Sequence, residues 1–485
     1  MIGTQQLEMN PRGLIVLFAF LVVAVGGALI ANKLTLGFAV AAVAAIIIFT
    51  FSFISQEIAL YILICSMLLG PQIVTESAAV GLHRGRGLTL RFDDFLLLVI
   101  GLAWFMKMAV NKNLGIFLRT PLNVPIALYL FACVLSTAYG AMVNPRVKPM
   151  VAAFFIVKYF EYFVVYFMAA NHLRDREQIR RFVITMLIVC FCVCLYGMYQ
   201  MPSVDRVSAP FEGEDASEPN TLGGYLVLML SLTIGFLATA GSLKRKWPLW
   251  ILLPAILITL AATHSRGSWL ALPFMLLTLI LFSKKRLVLI LPVLFILSLS
   301  PLVMPKSVID RVAYTFNQPE EEGQVKIGNV KVDSSTSARL ESWRIILTED
   351  FVKRPLLGTG ITGYYFVDAQ FPMILANTGL VGLTTFFILL GAVFWNAWKA
   401  YRISSDPLFN GIVLGYLGGY VGLLVHAIGA NTFIIVRIME PFWFLTAIVI
   451  LIPTIEKKNR QDEPAPIPAW RDSGKFRHRA GELQS

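Results

Sequence analysis

Long apolar runs recur along almost the whole chain, separated mostly by short polar connections. A run of about 18 apolar residues or more reads as a membrane-crossing helix. The pattern predicts fourteen helices: 13–31, 34–54, 57–73, 93–110, 122–143, 150–170, 180–201, 221–240, 248–263, 268–282, 285–304, 373–398, 408–430 and 436–455. The third, ninth and tenth are short for a full span. The first has only Arg12 ahead of it and no small-residue cleavage site, so it is expected to be a retained span, not a signal peptide. The expected fold is an all-α polytopic membrane protein of about 14 transmembrane helices (range about 12–14). A bundle over 1–304 would be followed by one large loop over 305–372, three helices over 373–455 and a disordered cytoplasmic tail over 456–485.

Composition agrees with this pattern. Of 485 residues, 57% are hydrophobic and 14% charged, against about 25% charged in soluble domains. The five cysteines, Cys65, Cys133, Cys190, Cys192 and Cys194, all fall in apolar helices and read as packing residues. There is no HExxH, haem or zinc pattern and no P-loop. The net charge of +12 would point to nucleic acid in a soluble protein. Here most basic residues sit in connections between helices and report orientation instead, so no nucleic-acid partner is expected.

The fourth, sixth, eighth, tenth and twelfth connections are the strongly basic ones, with Lys107, Lys112 and Arg119; Arg174, Arg176, Arg180 and Arg181; Lys244, Arg245 and Lys246; Lys284, Lys285 and Arg286; Lys399 and Arg402. The positive-inside rule places that side, and both termini, in the cytoplasm. The opposite side should be poor in arginine, yet arginines recur there. The third connection has His83, Arg84, Arg86 and Arg91 before Asp93 and Asp94; the seventh has Arg206; the ninth is only Ser265–Arg266–Gly267; the eleventh carries Arg339 and Arg344; the thirteenth has Arg437, three residues before Glu440. Arginine costs roughly 2.5–3.5 kcal/mol at the centre of a membrane helix. Arg91 and Arg437 have acids beside them and could be structural ion pairs, whereas Arg266 has none nearby. A guanidinium binds phosphate oxygens in a bidentate fashion, so arginines from several outer connections could converge on a diphosphate.

The loop 305–372 carries eight Lys/Arg and nine Asp/Glu. Its first part reads as irregular or short-stranded. A helix is expected near 337–353, with Ser337 as N-cap, an apolar stripe of Leu340, Trp343, Leu347 and Phe351, and Pro355 ending it. Gly358, Gly360 and Gly363 mark a tight backbone path before Asp368 and Gln370, while Gly379 and Gly382 read as close-packing points within the next helix.

Taken together, Arg339 and Trp343 in RLESW, PLLGTG at 355–360, NTGLVGL at 377–383, the SRG at 265–267, and Arg206, Pro210, Phe211, Pro219 and Asn220 resemble the O-antigen ligase and polymerase family of bacterial membrane glycosyltransferases. The resemblance spans about 206–383. It implies a GT-C-like bundle with a periplasmic loop in the bacterial inner membrane, working without metal, cofactor or nucleotide sugar. The implied donor is an undecaprenyl-diphosphate-linked glycan and the acceptor a glycan or lipid-linked sugar, with other polysaccharide assembly and export proteins as partners. Asp368 stands where the ligases carry a histidine, nine residues before the Asn377 motif, which favours an O-antigen or exopolysaccharide polymerase over a lipid A ligase. The implied catalytic residues are Asp368 as base with Arg266 and Arg339 on the leaving diphosphate; Arg206, Asn220, Arg344, Gln370, Arg91 and Arg437 are expected to bind substrate.

A secondary transporter or lipid-linked glycan flippase is the alternative. Lys158 and Glu161, three apart in the sixth span, would then form an ion or proton site. Transporters often consist of two related halves, and the loop 305–372 has no counterpart in the first half of this chain.

Overall fold

The computed structural model describes residues 36–74, 89–110, 119–212, 218–239, 246–287, 289–291, 294, 326–327, 330–331 and 333–462. The expected first span, most of the eleventh, and His83, Arg84 and Arg86 lie outside the described residues. The helices are α1 (Leu36–Ile54), α2 (Gln56–Leu69), α3 (Phe92–Val110), α4 (Asn123–Val143), α5 (Pro149–His172), α6 (Arg176–Gln200), α7 (Pro219–Ala238), α8 (Trp247–Ala262), α9 (Arg266–Phe282), α10 (Ser334–Ile345), α11 (Gln370–Ile403), α12 (Pro407–His426) and α13 (Val436–Asp462). Seven of them, α4, α5, α6, α7, α11, α12 and α13, are long and apolar enough to cross a membrane, and α2, α8 and α9 are apolar but shorter. The chain is a multi-pass membrane protein.

Local chemistry sets the boundaries. α2 stops at Leu69, four residues before the expected end, because Gly70 caps it and Pro71 follows. The chain then enters a short antiparallel pair, β1 (Gln72–Val74) with β2 (Thr89–Arg91), in which Gln72 faces Arg91. A second such pair, β3 (Lys326–Ile327) with β4 (Val330–Lys331), lies in the large loop. α13 continues to Asp462, seven residues beyond the boundary read from hydropathy.

The centre of the bundle is a close crossing of α7 and α12. A Cβ on Gly235 would stand 2.6 Å from the carbonyl of Gly411 and from the amide of Gly415, and Ser231 Oγ donates to the Gly415 carbonyl at 2.6 Å. Lipid is as apolar as leucine, so helices in it associate through small-residue approach and interhelical hydrogen bonds.

Gly379 is not a packing point inside a continuous helix. Its φ/ψ of 61°/−161° breaks α11 into two segments. A break leaves backbone groups that lipid cannot satisfy, and the PLLGTG stretch satisfies them. The amides of Thr359 and Gly360 donate to the carbonyls of Ala376 and Asn377, each at 2.9 Å. The amides of Leu380 and Val381 donate to Pro355 and Leu356 at 2.8 and 3.1 Å. Ser136 of α4 donates to the Leu357 and Asn377 carbonyls. A Cβ on Gly379 would collide with the Leu356 carbonyl. The two glycine-rich motifs are therefore halves of one backbone joint.

Candidate active site

Three stretches of chain meet at the N-terminus of α9. Ser265 caps that helix by accepting from the Ser268 amide, and its hydroxyl donates to Asn220 Oδ1 at 2.8 Å. This fixes Arg266 in the first turn of α9, with its side chain 23% exposed. Its guanidinium donates to Asp333 Oδ2 at 2.8 Å and to Ser335 Oγ at 2.5 Å. Asp333, not Ser337, is the N-cap position of α10. The helix starts earlier than expected because Ser335 and Thr336 fold their hydroxyls back onto the Asp333 carboxylate, at 2.5 and 2.6 Å. Burial pushes the Asp333 carboxyl up. The hydrogen bonds from Arg266, Ser335 and Thr336 outweigh burial and hold it well below the usual carboxylate range.

Further along α10, Arg339 donates to Asp368 twice, from Nη2 to Oδ2 at 2.8 Å and from Nε to the backbone carbonyl at 3.3 Å. Asp368 stands two residues before the positive end of α11. Both side chains of this pair are about 30% exposed, at 28% and 31%. The far end of α10 runs into a π-turn, Ile346–Asp350. Trp343, Ile346 and Phe351 face a small apolar cluster with Tyr364, Val367, Ala369, Leu375 and Ala376. The five-residue step from Ile346 to Phe351 matches the wider turn and leaves Leu347 exposed, contrary to the regular stripe read from sequence.

α10 thus brings Arg266, Arg339 and Asp368 into one region, and Asp333 joins them. Arg206 and Asn220 flank it. Arg206 Nε donates to the Thr263 carbonyl at 3.3 Å, three residues before Arg266. The other expected binding residues lie elsewhere. Gln370 is buried and accepts from the Phe433 amide at 2.8 Å, tying α11 to the α12–α13 connection. Arg344 is on the open face of α10, paired with Glu341 at 2.7 Å. Arg91 and Arg437 are buried, 7% and 2% exposed, and ion-paired inside the bundle.

Besides Asp333, one further residue of this region was not read from the sequence. His426, the last residue of α12, is fully buried. A Cβ on Gly224 would stand 3.1 Å from its ring and one on Gly267 3.6 Å away, so glycines from α7 and α9 form the slot it fills. Nδ1 is 2.7 Å from Thr432 Oγ1, and Nε2 makes no hydrogen bond of normal geometry. The charges acting on the ring are those of Asp368 and Arg339, and the backbone of Asn220 is close by. A lone histidine at a helix end carries no motif, so only the fold reveals it. Backbone strain gathers in the same connections: Phe211, His264 and Thr362 have φ of 57°, 49° and 70°, each worth about 1–3 kcal/mol.

Among the described residues no group of three or more His, Cys, Asp or Glu side chains is arranged to hold a metal ion. The arrangement offers two guanidinium groups for an anion and a half-exposed carboxylate that can accept a proton. No curated protein matches the chain. Residues 249–387, which carry Arg266, Asp333, Arg339, Asp368 and both halves of the glycine joint, match the family model described as O-antigen ligase.

Proposed function

We propose that this protein is a metal-independent membrane glycosyltransferase that uses an undecaprenyl-diphosphate-linked glycan as donor and joins repeat units into an O-antigen or exopolysaccharide. Polymerisation is favoured over ligation to lipid A because aspartate occupies the position of the ligase histidine. The observation that carries the reading is the pair of arginine–aspartate contacts along α10, inside the segment matched by the family. The reading retains fourteen spans in a GT-C-like bundle, cytoplasmic termini and a periplasmic site in the bacterial inner membrane, working with other polysaccharide assembly and export proteins.

In this mechanism the donor diphosphate docks against the guanidinium groups of Arg266 and Arg339. Each guanidinium has five donors, so both can take phosphate oxygens while keeping one hydrogen bond to aspartate. Asp368 exchanges part of its contact with Arg339 for an acceptor hydroxyl and takes its proton. The hydroxyl oxygen attacks the anomeric carbon, the bond to the diphosphate oxygen breaks, and the electron pair leaves with the diphosphate. The arginines stabilise the charge that develops there.

The test replaces the chain, in its own cell, by Arg266→Ala, Arg339→Ala or Asp368→Asn, each checked for membrane expression, and reads glycan length. Single repeat units left on the carrier in all three support the proposal. Long polymer in all three removes these residues from the chemistry and leaves the flippase or transporter reading standing. Polymer that forms on the carrier but never reaches its acceptor makes the protein a ligase.

A further inference from the structure

The bundle interior holds a second charged cluster that the transfer chemistry does not use. Arg91 pairs with Asp93 at 2.7 Å, and its amide donates to Asp94 at 2.8 Å. Lys158 of α5 contacts Asp94 and lies 3.4 Å from Glu161. Arg437 of α13 pairs with Glu212 at 3.2 Å and donates to the Gly70 carbonyl at 3.0 Å. A Cβ on Gly70 would be 3.3 Å from Asp93 Oδ1, which joins the two halves. Glu440, one turn into α13, completes the set. It is fully buried, and neither carboxylate oxygen has a hydrogen-bond partner. The charges acting on it come from Asp93, Glu161, Arg91 and Asp94.

Five carboxylates (Asp93, Asp94, Glu161, Glu212 and Glu440) therefore face three cations (Arg91, Lys158 and Arg437) in a region almost closed to solvent. Tyr162 of α5 adjoins Glu161, and Glu218 adjoins Glu212 on the outer loop. An excess of two negative charges cannot persist there. Burying one unpaired ion costs several kcal/mol even after relaxation, and a buried carboxylate without partners takes up a proton instead. A metal cation is the other way to neutralise the excess, but no three of these acids are arranged to hold one. Ionisable groups inside a membrane bundle mark pathways or binding sites more often than plain structure.

We infer that this cluster is a proton-binding site, in which Glu440 and the carboxylates around Lys158 hold at least one proton between α3, α5 and α13. The site is separate from the arginines of α10 and does not depend on the transfer chemistry. Its outer wall is Glu212, on the same loop as Arg206, so the protonation state of the cluster is linked to a loop that flanks the candidate active site.

The test is infrared spectroscopy of the full-length wild-type protein in detergent at about pH 9, two units above the value to which burial raises Glu212, about 7. Glu212 is then ionised, and a remaining protonated-carboxyl C=O band belongs to the deeper acids. The expected result is such a band in the wild type, lost or shifted in Glu440→Gln or in Asp94→Asn, and unchanged in Glu212→Gln. A wild-type spectrum without the band overturns the inference, and needs no variant to fold. A band that survives both deep substitutions, or a band removed by adding sodium at constant pH, overturns it as well.

Discussion

Two kinds of arginine–carboxylate pair occur in this protein, and they differ in what surrounds them. Arg339–Asp368 and Arg266–Asp333 sit at the mouth of the bundle, with three of the four side chains between 23% and 31% exposed. Arg91–Asp93 and Arg437–Glu212 have side chains between 0% and 8% exposed, and their guanidinium groups donate further hydrogen bonds to backbone carbonyls. The hydrogen-bonding chemistry is alike. An open pair can trade a partner for a ligand at little cost, whereas a closed pair has already exchanged water for protein on every side. The four arginines divide in this way into two in partly open pairs and two in closed ones.

The largest expected effect lies in the closed pairs. Arg437→Ala leaves Glu212 buried without its cation and strips hydrogen bonds from the Pro210 and Gly70 carbonyls. Removing one partner of a buried pair costs about 3–5 kcal/mol, so the variant should lose most of its folded yield or melt far below the wild type in detergent. A Tm close to wild type would erase the distinction between the two kinds of pair.

Next in size is the effect on activity at the open pairs. Arg339→Ala and Arg266→Ala should each lower the glycan transfer rate by roughly 10²–10³-fold, the magnitude typical of losing one electrostatic donor to a developing negative charge. Stability should change by no more than about 1 kcal/mol in Arg339→Ala, whose pair is partly exposed on both sides and screened, and by more in Arg266→Ala, which leaves the buried Asp333 without its cation. Transfer measured beside Tm on the same preparation separates the two. Tm falling in step with activity in Arg339→Ala would mean that this pair is structural after all.

This division explains how much could be read from the sequence. Helices are written in hydropathy: those expected within the described residues are present, seven of them long and apolar enough to cross a membrane, with ends shifted by a few residues. The local pair Arg91–Asp93 was legible because its partners are two residues apart. Partners distant along the chain were not. Asp333 lies 67 residues from Arg266, and Glu212 lies 225 from Arg437, which pairs with it in preference to the nearby Glu440. Gly379 looked like a packing glycine because nothing in NTGLVGL alone states that PLLGTG supplies the hydrogen bonds of a broken helix. His426 stayed hidden because its setting is built by α7, α9 and the α12–α13 connection together.

A smaller effect comes from pH at the closed pair. Burial raises the Glu212 carboxyl to about 7 from its ordinary 4.5, with Arg437 offsetting only part of the shift. The folded value lies above the unfolded one, so the folded state keeps a proton that the unfolded chain has released. That contribution is complete below about 4.5 and is lost as pH rises through about 7. Glu212→Gln should flatten this part of the Tm–pH curve. Parallel curves for variant and wild type would remove Glu212 as the source.

The smallest effect is expected at Arg344, five residues beyond Arg339 on the same helix and therefore the sharpest control. Five residues rotate a side chain by about 500°, or about 140° past a full turn, which carries Arg344 away from Asp368 toward the open face. There it closes on Glu341 with hydrogen bonds of 2.7, 3.0 and 3.1 Å. Both side chains are well exposed, at 59% and 44%. An exposed pair three residues apart on a helix contributes little to stability and shapes no pocket. Arg344→Ala should keep wild-type glycan length and wild-type Tm, while Arg339→Ala on the same helix loses transfer. If Arg344→Ala lost transfer as fully as Arg339→Ala, the anion site would have to extend over the outer face of α10, and exposure alone would no longer separate the arginines that bind from those that do not.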